Sequence, residues 1–298
     1  MIAYLMIGQG VDLPWVSDDV LGDPEVAALV TVASEAAGCD LGRLLVRGGP
    51  ALSRSEIMQP AMVAVCLGVG RMLSRAGVRP DFVLGHSLGE LTAWAIAGAI
   101  TAEDAVKVAA LRGRLMAREA ALHPGAMLRI TGDREACVRA IETGAHAGSI
   151  CLAAHNGVEE WVVSGEEAAL ARIVPQFRAT RLAVAGPWHS PAMAGAVAEL
   201  TEALLALPRR PMHARMVTNR DGSFAQEADV PVLLAGQLVH PVQWVASLTT
   251  LVGVGVRRFV AVGPGKMLRS LVHRNLGVAQ HVDMVDSARS VAELAASA

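Results

Sequence analysis

Residues 81–97 read Asp81-Phe82-Val83-Leu84-Gly85-His86-Ser87-Leu88-Gly89-Glu90-Leu91-Thr92-Ala93-Trp94-Ala95-Ile96-Ala97. The run at 81–84 predicts a strand, and the run at 91–97 predicts a helix. Residues 85–89 join them and match the GxSxG pattern of a nucleophile elbow, in which a tight turn pushes a serine hydroxyl outward at the end of a strand. An ordinary turn with a capping serine is the alternative, but the flanking strand and helix favour the elbow.

Two features of this stretch support a reactive serine. Gly85 and Gly89 stand two residues before and after Ser87, where any Cβ would collide with neighbouring backbone in so tight a turn. Ser87 also lies at a helix N-terminus, where free N–H groups and the helix dipole favour negative charge. We therefore predict that Ser87 is a nucleophile beyond the carboxyl end of a strand.

The composition limits the class of protein. The chain has 298 residues, enough for one large domain with a smaller insertion or for two domains. Hydrophobic residues make up 53% and aromatic residues only 3%, so the core must consist mainly of Ala, Val, Leu and Met. The net charge is -2 and basic residues form no block with aromatics, which argues against a nucleic-acid-binding surface.

The N-terminus and the cysteines bear on location. Residues 1–7 are apolar but too few for a signal peptide or a membrane span, and they predict a first strand. The cysteines show no CxxC or CxH spacing: Cys39, Cys66, Cys137 and Cys151. We expect a cytoplasmic, reduced protein that binds no metal, cofactor, membrane or nucleic acid.

Strand and helix patterns alternate along most of the chain. Helices are predicted at 60–76 and at 102–121, the second entered through Thr101 with Asp104 three residues later, as in a capping box. In the last third, 256–262 predicts a strand that is followed by a helix. Such alternation implies a mainly parallel sheet, whose ligands bind beyond the carboxyl ends of its strands.

The pattern changes between residues 125 and 190. Helices are predicted at 134–142 and 166–178, around a turn at Asn156-Gly157, and strands at 126–130, 150–154, 161–164 and 181–185. That order is βαββαβ, the ferredoxin-like split motif. We therefore predict a small inserted subdomain at 125–190 within a larger α/β domain.

A serine needs a base to take its proton, and nine histidines are candidates. His189 lies in GPWHSP at 186–191, where Ser190 can cap a helix with Pro191 in its first position. This places the imidazole at a domain junction, although a loop histidine is more often solvated or structural. His86 would point away from the serine on an elbow, and we interpret it as structural and hydrogen-bonded.

Helical spacing singles out Arg112. It shares one face of the predicted helix with four apolar residues: Ala105, Val108, Leu115 and Met116. An arginine in an apolar stripe needs an anionic partner, because an unpaired buried charge costs several kcal/mol. That partner is either a carboxylate of the protein or a substrate carboxylate held by two hydrogen bonds.

Two glutamine segments add weaker signals. Gly8-Gln9-Gly10 ends the first predicted strand, where flanking glycines would let an amide approach a reacting carbonyl. Gln237 could orient the histidine through an amide oxygen, although a surface glutamine is the ordinary interpretation.

Together these motifs resemble the malonyl-CoA:acyl carrier protein transacylase family, which includes the acyltransferase domains of polyketide synthases. Nine landmarks of that family occur in order over nearly the whole chain: GQG at 8–10, Gln59, GHSLGE at 85–90, Arg112, Gly-Ala-Met at 125–127, Asn156 before VVSG at 162–165, His189 in GPWHS, Gln237 before PVQW at 241–244, and GPGK at 263–266. The resemblance implies an α/β-hydrolase-like catalytic domain at 1–124 and 191–298, with the ferredoxin-like subdomain at 125–190.

The resemblance also implies roles for individual residues. Ser87 would be the nucleophile and His189 its base, with the backbone N–H groups of Gln9 and Leu88 as the oxyanion hole. Arg112 would hold the malonyl carboxylate. Supporting or pocket-lining roles are implied for Gln59, Asn156, Trp188 and Gln237.

Two departures from the family pattern concern the loop geometry near Gln9 and the acyl pocket near His189. An FPGQGSQ-like start is usual, whereas here Ile7 replaces the proline and Gly10 runs into VDLPW at 11–15. Trp188 is bulkier than the usual residue before the histidine. The sequence therefore specifies the reaction class better than the acyl group.

The predicted reaction moves a malonyl group from malonyl-CoA, through an acyl-serine, to the phosphopantetheine thiol of an acyl carrier protein. Three alternatives stay open: a hydrolase of the same fold that clears carrier proteins, a transferase for another acyl unit, and a non-catalytic docking protein. Arg112 favours the malonyl transferase, and intact Ser87 and His189 argue against the docking protein. Because carrier proteins are acidic, several arginines could form a docking face or be ordinary solvated surface: Arg114, Arg118, Arg209, Arg210 and Arg274.

Overall fold

The computed structural model describes residues 1–9, 16–144 and 149–297. Its strands are β1 Ile2–Met6, β2 Phe82–Gly85, β3 Ala126–Thr131, β4 Ile150–Gly157, β5 Glu160–Gly165, β6 Arg178–Arg181, β7 Arg215–Val217, β8 Arg258–Val262 and β9 His281–Val285. Its helices are α1 Asp18–Leu21, α2 Pro24–Ala37, α3 Leu41–Arg47, α4 Ser55–Arg75, α5 Leu88–Ile96, α6 Ala102–Leu122, α7 Arg134–Gly144, α8 Glu167–Ile173, α9 Ala194–Leu205, α10 Val230–Gly236, α11 Trp244–Gly253, α12 Met267–Leu276 and α13 Ala288–Ala296.

Within these residues the larger sheet has five parallel strands in the order β7-β2-β1-β8-β9. Every residue of β2 is buried, as are all but the first residues of β1 and β8. Such continuous burial is typical of a parallel sheet that helices cover on both faces. Because the elbow follows β2 directly, Ser87 lies at the carboxyl edge of the sheet, where ligands of such folds bind.

The smaller sheet is antiparallel, in the order β4-β5-β3-β6. With α7 after β3 and α8 after β5, the segment has the predicted βαββαβ order. It has an apolar cluster of its own, which includes Ile130, Val163 and Leu170. The predicted fold class, a large α/β unit with a ferredoxin-like one, is confirmed, while the domain boundaries at 124–125 and 190–191 stay a prediction.

A short backbone pairing attaches the segment around Val242 to strand β4 close to the predicted site. Val242 donates its N–H to the Ala153 carbonyl at 2.9 Å, and its own carbonyl accepts from the His155 N–H at 2.9 Å. Residue 242 follows Gln237 by five positions, so this pairing holds the Gln237 segment against β4.

The start predicted for the helix at 60–76 was wrong. Helix α4 begins at Ser55 and contains Pro60. Proline is typical of a first helical residue, but Ile57 and Met58 before it are buried in the core and keep that turn helical. By length and composition α4 could cross a membrane, yet 89% of its apolar window is buried inside the protein.

Two boundaries in the smaller sheet were also predicted wrongly. Strand β4 continues through 156–157, and the turn lies at 158–159. The last strand is Arg178–Arg181 rather than 181–185, because the chain pairs with β3 over those residues. Residues 182–184 are apolar because they line a cavity.

Candidate active site

The turn around Ser87 has the tight geometry that its glycines predict. A Cβ on Gly85 would lie 1.9 Å from the carbonyl carbon of Gly89, and one on Gly89 would lie 2.2 Å from the carbonyl oxygen of Met6. Ser87 has φ 53° and ψ -114°, a region that residues other than glycine rarely adopt. The backbone after β2 therefore carries the strain typical of a nucleophile elbow.

His189 lies against the serine hydroxyl. Its Nε2 is 2.7 Å from Ser87 Oγ, and its Nδ1 is 2.9 Å from the main-chain oxygen of Gln237 and 3.2 Å from that of His240. Because carbonyl oxygens only accept hydrogen bonds, Nδ1 carries the ring proton and Nε2 can accept the proton of the serine. The amide oxygen that orients the histidine thus belongs to the main chain of Gln237.

The surroundings of His189 keep its imidazole neutral. The residue is 6% exposed. Burial, and after it the positive charge of Arg112, lowers its pKa to about 3. A neutral imidazole beside a hydroxyl is the form that a general base requires.

Arg112 is buried beside the serine, at 4% exposed. Its guanidinium donates to Gln59 Oε1 at 2.9 Å, to Gln237 Oε1 at 3.0 Å and to Ser87 Oγ at 3.4 Å. Burial lowers its pKa to about 10, partly opposed by the charge of Glu90. No carboxylate of the described residues forms a salt bridge with it. Neutral oxygens orient the cation without neutralising it, so the arrangement fits a ligand carboxylate better than a protein one.

Of the two predicted oxyanion-hole residues, Leu88 belongs to the elbow and Gln9 follows a glycine that packs against it. Leu88 begins α5, so its N–H has no carbonyl partner within the helix. Gly8 packs so closely that a Cβ on it would lie 2.2 Å from the His86 carbonyl oxygen and 3.6 Å from Ser87 Cβ. Gly8 is therefore in direct contact with the elbow, and Gln9, whose N–H is the second predicted donor, is the next residue in the chain.

A cavity of about 410 Å³ opens over Ser87 and His189, a size typical of small-molecule sites. Asn156 and Trp188 line it. Asn156 Oδ1 is 2.9 Å from His86 Nε2, so His86 has the hydrogen bond expected of a structural residue. Apolar side chains form much of the remaining wall: Met58, Met116, Met127, Val162, Leu182 and Val184.

Gln59 lies behind this wall and is fully buried. Its Nε2 donates to Gln9 Oε1 and to Met116 Sδ, each at 3.3 Å, while its Oε1 accepts from Arg112. Gln59 therefore links the segment that follows β1 to the arginine. The family departure at residues 10–15 lies outside the described residues.

Two buried residues of the site escaped the sequence analysis. Glu90 ends GHSLGE, and Asn219 lies two residues after β7. Asn219 Oδ1 accepts the Ser87 N–H at 2.8 Å, and its Nδ2 donates to the Gly85 carbonyl at 2.6 Å. No local sequence signal marks Asn219, because its place at the site depends on the pairing of β7 with β2, which brings the carboxyl ends of both strands to one edge.

The cysteines and the metal-type side chains add no second reactive centre to this cavity. All four cysteines are free thiols, and burial raises the pKa of Cys66 and of Cys151 to about 12. Thiols so rarely ionised are poor nucleophiles. Across 1–9, 16–144 and 149–297, no group of three or more His, Cys, Asp or Glu side chains is arranged to hold a metal.

A serine on an elbow, a histidine against its hydroxyl and an arginine held by neutral oxygens are groups suited to acyl transfer. Residues 17–294 match the family model described as the acyl transferase domain, and the chain belongs to that family. Over 284 residues it is 31% identical to the malonyl CoA-acyl carrier protein transacylase of Bacillus subtilis (strain 168), covering 92% of this chain and 90% of that relative. The resemblance seen in the sequence is confirmed.

Solved structures agree over the whole chain. The malonyl-CoA transacylase (MCAT) of Mycobacterium tuberculosis is 31% identical with a TM-score of 0.91, and 99% of each chain is covered. A malonyl-transacylase in complex with its type II PKS acyl-carrier protein is 28% identical with a TM-score of 0.92, covering 100% of this chain and 99% of that one. The fold around the site is therefore that of the malonyl transacylases.

Proposed function

We propose that this protein transfers a malonyl group from malonyl-CoA to the phosphopantetheine thiol of an acyl carrier protein through an acyl-serine at Ser87. The main observation in support of this proposal is the buried Arg112 guanidinium, which lies 3.4 Å from Ser87 Oγ and is held by neutral amide oxygens. A malonyl thioester carries a carboxylate one carbon from its reacting carbonyl, which suits a cation beside a nucleophile. The names of the B. subtilis relative and of the solved carrier-protein complex support the same reaction.

In the first half-reaction, Ser87 Oγ attacks the thioester carbonyl while His189 Nε2 takes the hydroxyl proton. The tetrahedral intermediate collapses, its C–S bond breaks, and the imidazolium returns the proton to the departing CoA thiolate. The hydrogen bonds from Nδ1 to two carbonyl oxygens, at 2.9 Å and 3.2 Å, hold the ring and stabilise its charged form.

The second half-reaction runs the same chemistry in reverse. The carrier-protein thiol gives its proton to His189 and attacks the malonyl-serine ester. The ester C–O bond breaks, and Ser87 Oγ regains the proton. Because burial and Arg112 lower the histidine pKa to about 3, the imidazole begins each half-reaction neutral.

The negative charge on the carbonyl oxygen needs donors. The backbone N–H groups of Leu88 and Gln9 take this role in the proposal, helped by the dipole of α5. Such donors contribute a factor of about 10² to 10³ each in rate.

Arg112 selects the acyl group, because an acyl group without a carboxylate leaves the buried guanidinium without an anion. Gln59 and Gln237 hold the guanidinium plane by accepting one hydrogen bond each. Trp188 and the apolar wall limit the space for the acyl group in the rest of the pocket. Asn156 also lines the pocket, and its hydrogen bond holds His86.

Mass spectrometry after mixing with malonyl-CoA tests the proposal. We expect a malonyl adduct on Ser87 that is absent from Ser87→Ala and that moves to a phosphopantetheinylated carrier protein when one is added. Absence of the adduct from the wild-type protein would contradict the mechanism and favour a docking protein. An adduct lost to water as fast as to carrier protein would favour the hydrolase.

A panel of small acyl-CoA substrates against several carrier proteins identifies the acyl group and the cognate carrier. In the proposal the enzyme works in the cytoplasm without a bound cofactor, with malonyl-CoA as substrate. Of the arginines predicted as a docking face, Arg274 lines the cavity; the role of all five stays a prediction.

A further inference from the structure

Glu90 is a buried carboxylate that the proposed reaction does not use. Its side chain is 1% exposed. One oxygen, Oε1, accepts the Asn219 N–H at 2.7 Å, and the other accepts a hydrogen bond from Gln237 Nε2. Burial raises its pKa to about 7, against its hydrogen bonds and the charge of Arg112. At pH 8 the group is therefore mainly ionised and can only accept hydrogen bonds.

Both partners of Glu90 also hold the strained peptide of Ser87. Asn219 Oδ1 accepts the Ser87 N–H at 2.8 Å, and Gln237 Nε2 donates to the Ser87 carbonyl at 3.1 Å. The two sides of the nucleophile's backbone are thus fixed by residues that Glu90 anchors.

Gln237 extends this network to Arg112. Its Nε2 faces Glu90, and its Oε1 accepts from Arg112 at 3.0 Å. An arginine only donates and a carboxylate only accepts, so these neighbours permit one orientation of the amide. If the amide turned over, its NH₂ would face the guanidinium and its oxygen would face both Glu90 and the Ser87 carbonyl, leaving buried groups unpaired.

We propose that Glu90 is a positioning residue for carboxylate recognition: it sets the orientation of the Gln237 amide and, through it, the direction in which the Arg112 guanidinium faces the ligand. This inference rests on the proposed function, because it concerns how malonyl is chosen over acyl groups without a carboxylate. Since Glu90 touches no reacting atom, it acts on discrimination more than on proton transfer.

Glu90→Gln tests the orientation with almost no change in shape. The new side chain has one oxygen, which can accept the Asn219 N–H, and its NH₂ then faces Gln237. Gln237 must turn over to accept that donor, which presents its own NH₂ to Arg112. At pH 8 we expect kcat/KM for malonyl-CoA to fall on the order of tenfold, mainly through KM, with a change under about threefold for acetyl-CoA.

Two further variants accompany it. Glu119→Gln is the matched control, because Glu119 is also a buried carboxylate on the same helix as Arg112 but pairs with Arg118. In this variant the ratio of kcat/KM for malonyl-CoA to kcat/KM for acetyl-CoA should equal the wild-type ratio. Gln237→Leu removes the link while leaving Glu90 in place. It should lower the ratio as Glu90→Gln does, and the double variant should show no further loss.

Equal losses for both substrates in Glu90→Gln would overturn the inference, and so would an unchanged ratio in Gln237→Leu. A thermal melt of each variant checks folding. If Glu90→Gln does not fold, the malonyl-to-acetyl ratio of Gln237→Leu tests the inference. If the wild-type protein forms no malonyl adduct on Ser87, it is the proposed function that fails. If the adduct forms while the ratios stay unchanged, only the role of Glu90 fails.

Discussion

At the scale of single residues, the site combines buried charges with neutral hydrogen-bond partners. Arg112 is held by two glutamine oxygens, and His189 by two main-chain oxygens. Direct carboxylate partners would neutralise the arginine and raise the pKa of the histidine. Neutral partners instead fix the geometry of each group and leave its chemistry available to a substrate.

Arg112→Ala is the residue-scale prediction. It should lower kcat/KM for malonyl-CoA by roughly 100-fold and that for acetyl-CoA far less, because only malonyl loses a charge-assisted hydrogen bond. Parallel transfer assays with the two substrates measure the difference. Arg71→Ala is the control, since Arg71 pairs with Glu25 and Glu103 and does not line the cavity. Equal losses for both substrates would sink the carboxylate-binding role.

At the scale of elements, the elbow depends on close contact between β1, β2 and α5. Gly89 lies in the first turn of α5 and packs on the carbonyl oxygen of Met6 at the end of β1. This contact brings the N-terminus of the helix, and with it the Leu88 N–H, to the carboxyl edge of the sheet. A side chain at position 89 would push the helix and the strand apart.

Gly89→Ala should therefore lower the free energy of unfolding by about 3 kcal/mol, because the contact is with rigid backbone. Urea unfolding followed by circular dichroism measures the change. Gly253→Ala is the matched control: Gly253 ends α11 with no atom within 4 Å of the Cβ position, so its stability should stay within about 0.5 kcal/mol of wild type. A Gly89→Ala protein as stable as the control would contradict this packing.

The elements that the sequence predicted best are those with local signals. The helix after Thr101 was predicted well, because its N-cap and its apolar stripe are both local signals. In the structure the Thr101 hydroxyl accepts the Asp104 N–H at 3.0 Å. The start of α4 and the position of β6 were predicted wrongly, because burial overrides the proline signal in the first case and the apolar residues at 182–184 face a cavity in the second.

At the scale of the whole molecule, the cavity lies where the two sheets meet. Ser87 comes from the parallel sheet, His189 from the segment that leaves the smaller sheet, and the Gln237 segment is held to β4 through Val242. His189 and Glu90 are two titratable groups buried there, and their shifted pKa values make the stability of the whole fold depend on pH. Their pKa values move in opposite directions, to about 3 and about 7.

These shifts predict how stability depends on pH. A histidine whose pKa is lowered from 6.5 loses stability as the pH falls below 6.5, and a carboxyl whose pKa is raised from 4.5 loses stability as the pH rises above 4.5. Between those two pH values the slopes oppose each other in the wild-type protein. Relative to wild type, Glu90→Gln should gain stability with rising pH by about 1.4 kcal/mol per pH unit, and His189→Gln should lose about as much.

Urea unfolding at several pH values in this window measures both slopes. The two variants check each other, because they are expected to deviate from wild type in opposite directions. If both curves run parallel to that of the wild-type protein, the two groups do not titrate as their burial requires.

The sequence alone determined the elbow around Ser87, the βαββαβ order and the arginine on an apolar helix face. Glycine spacing, capping and hydrophobic periodicity are properties of a few neighbouring residues, so they can be read without the fold. Only the tertiary structure decided which oxygens hold His189, that Arg112 has neutral partners, and that Glu90 and Asn219 belong to the site. Those contacts join residues far apart in the chain, 102 positions for Ser87 and His189 and 125 for Arg112 and Gln237, and only folding sets the distances between them.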